Sequence, residues 1–133
     1  MDWSGEASET AIRRCVEIFN RGTMEWVDVC YAPDADWTEL PTPAAPGGRQ
    51  GKRTELRAAA EHALALFPDR RLAIRSLVAQ GQHVAVELEW SGTASVNTAS
   101  PGTAVRLRLA SFFRIVDGLI TKHTDYCVPA GGR

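Results

Sequence analysis

Ser111-Phe-Phe-Arg-Ile-Val-Asp-Gly-Leu-Ile-Thr-Lys-His-Thr-Asp-Tyr126 is the stretch whose reading decides the fold. Asp117-Gly118 stands between two apolar runs, and a two-residue turn needs the positive φ that Gly and Asp adopt at little cost. The segment therefore reads as strand, turn, strand. Side chains alternate along a strand, so Thr121, His123 and Asp125 are expected on one face, with Ile120, Lys122, Thr124 and Tyr126 on the other. Two titratable groups on one face of a rigid strand suit acid–base chemistry.

Working back towards the N-terminus, the period-two pattern continues. Leu72 to Ala79, His83 to Ala94, Val105 to Val116 and Leu119 to Val128 are four expected strands, the first two joined by Gln80-Gly81-Gln82. Glu87 and Glu89 alternate with Val86, Leu88 and Trp90, and Arg106 and Arg108 alternate with Val105, Leu107 and Leu109. Pairing these strands sets acids against arginines on one face and apolar residues on the other, which fixes register. That charged, ordered face is also where a homodimer is expected to form.

Before residue 70 the period is helical. Ile12, Cys15, Val16 and Phe19 make one apolar stripe on a helix from about Ser8 to Arg21, closed by Gly22. Thr23 caps a short second helix ending near Tyr31-Ala-Pro-Asp34. Asp36 to Leu40 reads as a short strand. Pro41-Thr-Pro-Ala-Ala-Pro-Gly-Gly48 cannot be regular structure and forms a loop beside Glu39. A third helix runs from about Lys52 to Phe67. Helices followed by a run of antiparallel strands is the α+β pattern, one curved sheet with helices on one face. The 133 residues form a single domain, 1–133, with no internal repeat.

Composition narrows the function classes. Hydrophobic residues make 44% and charged residues 23% of the chain, an ordinary globular balance. The net charge of −1 offers no footprint for nucleic acid or an anionic membrane. No apolar run approaches a membrane span, and the start, Met1 to Glu9, has no signal-peptide pattern, so a cytoplasmic protein is expected. Cys15, Cys30 and Cys127 have wide spacings that spell neither a disulfide framework nor a zinc site, and no metal is expected. Cys15 reads as a small buried hydrophobe on the first helix.

These elements resemble the nuclear transport factor two-like fold, and Arg114-Ile-Val-Asp-Gly-Leu-Ile-Thr-Lys-His-Thr-Asp125 resembles the last hairpin of the SnoaL-like polyketide cyclases. Phe19-Asn20-Arg21-Gly22 is similar to the end of their first helix. The resemblance implies a cone-shaped, strongly curved antiparallel sheet wrapped by three N-terminal helices and enclosing a pocket. It also implies that Asp125 is the general acid/base of an intramolecular aldol closure. The cyclase histidine of the preceding strand falls on Ser111. Limonene epoxide hydrolases carry an aspartate in an Asp-Tyr pair like Asp125-Tyr126, although Glu87-Leu-Glu89 lacks their Arg-x-Asp. Ketosteroid isomerases place their base on Glu39 and their oxyanion donors on Cys15 and Ser111, neither a tyrosine nor a protonated acid.

The resulting expectation is an apolar pocket with Asp125, His123 and Glu39 as catalytic residues and Trp37, Ser111, Phe113, Trp90 and Cys15 around the substrate. Burial and a second carboxylate are expected to raise the pKa of Asp125. The implied substrate is a small apolar molecule, carbonyl-bearing or polycyclic, and no cofactor is expected because the carbonyl is its own electron sink. An epoxide-opening hydrolase and a non-catalytic binding or dimerisation module are the alternatives.

Overall fold

The computed structural model describes residues 3–43 and 45–130. Ala44 of the proline-rich loop, and Met1 and Asp2 of the start, lie outside the described residues. Element order is α1 (Glu6–Phe19), α2 (Glu25–Cys30), β1 (Tyr31–Glu39), β2 (Arg49–Gly51), α3 (Arg53–Leu66), β3 (Arg71–Gln80), β4 (His83–Thr93), β5 (Ala104–Val116) and β6 (Leu119–Pro129). The six strands form one curved sheet in the order β2-β1-β6-β5-β4-β3. The expected α+β fold is the one found.

Asp117 and Gly118 take φ of 51° and 79°, the left-handed pair that closes the β5–β6 hairpin. The antiparallel ladder runs through β3, β4, β5 and β6. One pairing departs from it: β1 lies parallel to β6, with Trp37 opposite His123 and Glu39 opposite Asp125. No hairpin connects these two strands, so direction is set by how the chain leaves α2 and not by a turn. The short β2, too brief for a period-two signal, folds back antiparallel onto β1.

Two local differences reshape the inner face. The second helix ends at Cys30, and Tyr31 is already extended at φ −106° and ψ 136°. Pro33 cannot join a helical ladder, so the backbone around it continues as strand and β1 is longer than expected. In β6 the register shifts between Arg114↔Lys122 and Ile115↔Ile120, leaving Thr121 as the extra residue of a bulge. Ile120 consequently joins His123 and Asp125 on the inner face and is 2% exposed, while Thr121 is displaced from it.

The core lies between that face and the helices. Val84, Val86, Leu88, Ile115 and Ile120 from the sheet meet Ile12 and Val27 from α1 and α2. Burying each such side chain contributes roughly 1.5–3 kcal/mol. Polar ties fix the helices to the sheet: Ser8 Oγ donates to the Gly81 carbonyl at 2.7 Å, and the Asn20 amide brackets both backbone groups of Leu72 at 2.8 and 2.9 Å. On the outer face Glu89 accepts from Arg106 at 2.7 Å and from Arg108 at 3.4 Å, the acid–arginine ladder expected from the alternation.

The cysteine reading requires correction. Cys15 of α1 and Cys30 of α2 form a disulfide across Cα atoms 5.9 Å apart, leaving Cys127 as the free thiol. Spacing alone was silent because the two helices meet only after α2 folds back on α1.

Candidate active site

Between the helices and the inner face of the sheet lies a cavity of about 640 Å³, a size usual for a small-molecule site. Its walls are mostly aliphatic and aromatic, since the apolar stripe of α1 and the small residues of α3 face the concave sheet. The polar groups collect where β1, β5 and β6 run side by side.

Asp125 is the centre of that group and is 8% exposed. Ser111 Oγ donates to its Oδ1 at 2.5 Å, because Ser111 lies directly opposite on β5. His123 Nε2 reaches the same Oδ1 at 2.6 Å from two residues back on β6. The Trp37 side chain, on parallel β1, supplies a further hydrogen bond. The Phe113 ring lies over His123 with centroids 4.3 Å apart and planes 30° from parallel, packing against one face of the imidazole.

The other ring nitrogen of His123 meets a residue that the alternation pattern missed. Tyr31 Oη and His123 Nδ1 are 2.7 Å apart. A neutral imidazole accepts from Tyr31 and donates to Asp125; a protonated one donates to both. Either way Tyr31, His123 and Asp125 form a continuous buried chain. Tyr31 was hidden because its strand begins where a helix end was expected.

Electrostatics reverse one expectation. Burial is the largest influence on Asp125 and pushes its pKa up, but attraction to His123 and the bonds from His123, Ser111 and Trp37 together outweigh it. The carboxyl is held below its ordinary 3.8, not raised. Tyr31 moves the opposite way: burial, and then the charge of Asp125, keep its proton on well above 10. Burial, with Glu39 and Asp125 nearby, pushes the Cys127 thiol up to about 11, so it is a neutral thiol and a poor nucleophile.

All eight residues singled out from the sequence border the cavity, but they are not one cluster. Asp125, His123, Ser111, Trp37 and Phe113 converge. Glu39 does not bond to this group; its Oε1 accepts from Arg49 Nε at 2.9 Å and Nη2 at 2.7 Å. Arg49 also lies 5.7 Å over the Trp37 ring. Gly48 permits this approach, since its φ of 72° and the Glu39 carbonyl 2.7 Å from any added Cβ both exclude a side chain. Trp90 packs edge-on against Phe67 elsewhere on the wall, and Cys15 presents a disulfide sulfur in place of a thiol. Among the described residues no group of three or more His, Cys, Asp or Glu side chains is placed to hold a metal.

The description of the SnoaL-like domain matches residues 12–123. The chain belongs to the SnoaL-like domain family. That match begins at Ile12, within α1, runs to His123 and stops two residues short of Asp125. Solved structures share the fold. IdmH of Streptomyces antibioticus, a candidate polyketide cyclase, is 25% identical with a TM-score of 0.76, covering 94% of this chain and 92% of that one. AclR of Streptomyces galilaeus, a candidate hydroxylase, is 21% identical with a TM-score of 0.76 over 90% of this chain and 77% of its own. A candidate polyketide cyclase of Acidithiobacillus ferrooxidans is 24% identical with a TM-score of 0.69, covering 98% and 92%. No curated protein sequence matches this member of the SnoaL-like family. No helix among its described residues is long and apolar enough to cross a membrane.

Proposed function

We propose that this SnoaL-like protein is a cofactor-independent acid–base enzyme of the cyclase or isomerase type, acting on a small apolar carbonyl-bearing or polycyclic molecule. The observation that carries this reading is the Asp125 carboxylate, buried at the wall of an apolar cavity and bonded by Ser111 and His123. The similarity to IdmH, a candidate polyketide cyclase, supports it.

In this mechanism Asp125 removes a proton from the carbon beside a substrate carbonyl, and the C–H electrons pass into an enolate. The enolate carbon attacks a second carbonyl of the same molecule, or is reprotonated elsewhere in an isomerisation. The proton held by Asp125 returns to the new oxygen or carbon, so nothing is oxidised and no water is consumed. Three donors on Asp125 hold it ionised at neutral pH but also weaken it as a base. By Brønsted behaviour that favours an activated proton, such as a methylene between two carbonyls, over that of an isolated ketone.

Replacing Asp125 with Asn keeps the shape and removes the base. Deuterium exchange at the methylene of a naphthyl 1,3-diketone in heavy water is expected to slow by roughly 10²–10⁴-fold, with little change in affinity for the diketone. Exchange at the wild-type rate in that variant would remove Asp125 from the mechanism.

A further inference from the structure

The same cavity has a second polar corner, remote from Asp125. Arg70, between α3 and β3, borders it and is 4% exposed. Its Nη1 donates to the Phe19 carbonyl at 2.5 Å and its Nη2 to the Thr23 carbonyl at 3.0 Å, and the guanidinium lies 3.7 Å over the Phe19 ring. The Phe19 carbonyl ends α1, whose C-terminus supplies only about half a negative charge, and the Thr23 carbonyl belongs to the turn before α2. No carboxylate among the described residues pairs with Arg70, and desolvation alone pulls its pKa down. A buried cation is ordinarily paired.

A second observation falls in the same corner. Trp26 packs edge-on against Phe19 with ring centroids 5.2 Å apart, also borders the cavity and is 8% exposed. Its indole Nε1 meets neither solvent nor an acceptor. The corner therefore holds, among the described residues, a cation with no carboxylate partner beside a wholly shielded indole N–H, and the cation's deficit asks for an anionic oxygen. The carboxylates that border the cavity, Asp125 and Glu39, belong to β6 and β1. Strand order puts β6 three strands from β3, about 14 Å around the sheet at a spacing near 4.8 Å.

We propose that Arg70 receives an acidic oxygen of the substrate, a carboxylate or phenolate on a flat fused-ring molecule whose reacting carbon lies at Asp125. This deepens the enzyme reading above and rests on it. The substrate is then two-ended: an activated carbonyl carbon at one end, an anionic oxygen at the other, and an apolar ring system spanning the aliphatic wall. Capping of α1 and of the turn after it explains two of the Arg70 donors but makes no distinction between an acidic and a neutral ligand. That difference separates the two roles.

Calorimetry with anthraquinone-2-carboxylate and 2-(hydroxymethyl)anthraquinone reads it directly. Wild-type protein is expected to bind the carboxylate at least tenfold more tightly, Arg70→Gln to bind the two probes equally, and Asp125→Asn to keep the preference. Equal binding by the wild type overturns the Arg70 assignment while leaving a ring-binding cavity. A preference that survives in Arg70→Gln, or disappears only in Arg49→Gln, moves the acid elsewhere and also overturns it. If neither probe binds, this assignment and the cavity's reading as a polycyclic site fail together. A readout that needs no variant is the nitrogen–proton resonance of Arg70 Nε, expected to shift with the carboxylate and to stay in place with the alcohol. A shift of equal size with both probes counts against the proposal.

Discussion

Asp125 shows how one side chain can be located by pattern and still be misjudged in its chemistry. Alternation along β6 puts it beside His123, and that much needs no coordinates. Its ionisation depends on what arrives from other strands: Ser111 from β5 and Trp37 from β1. Because the folded pKa lies below the ordinary 3.8, the ionised form is the one the fold favours. Its stabilising contribution is complete above the unfolded value and is lost as pH falls through the lower folded one. Asp125→Asn should therefore flatten the acid limb of stability below about pH 4, measured by urea unfolding at a series of pH values. An acid limb identical to that of the wild type would show that the carboxyl is not held ionised by its neighbours. Tyr31 marks the opposite case, a residue invisible to alternation and brought to His123 by a strand that begins early.

At the scale of elements, the helix stripes and the period-two runs were readable because each is a local consequence of burying one face. What could not be read were the junctions. The bulge at Thr121 turns Ile120 inward against simple alternation, and β1 pairs parallel with a strand far away in sequence. The Cys15–Cys30 disulfide is a junction of the same kind, joining α1 to α2 across a separation of 15 residues. Closing a loop of that length stabilises by about 3 kcal/mol in the chain-entropy account. Thiol labelling of unfolded protein should find one reactive cysteine without reductant and three with it, and the reduced protein should melt at a lower temperature. Three labelled thiols in both samples would refute the bridge.

For the molecule as a whole, six strands curl around a hollow that the helices close, leaving the convex side of the sheet uncovered. Phe112 and Tyr126 lie there, about half exposed, with rings edge-on and centroids 5.7 Å apart, next to the Glu87, Glu89, Arg106 and Arg108 ladder. Exposed aromatic pairs beside ordered charges favour an interface over bare solvent. We propose that two copies meet through this face. Sedimentation should report a dimer for the wild type and a monomer for the double variant Phe112→Glu, Tyr126→Glu. A monomeric wild type would leave the face to another partner.

The amino-acid sequence by itself determined the α+β class, the closing hairpin and the facing of His123 with Asp125, because turn chemistry and side-chain period act over a few residues. Tertiary structure alone decided that Tyr31 completes the chain through His123, that Glu39 is held by Arg49, that two cysteines join and that Arg70 is buried with no carboxylate partner among the described residues. Those outcomes depend on strands and helices distant in the chain arriving at one place, and on the local balance of desolvation against charge and hydrogen bonding there. No short-range pattern carries that information, since the energies that decide it exist only once the partners are assembled.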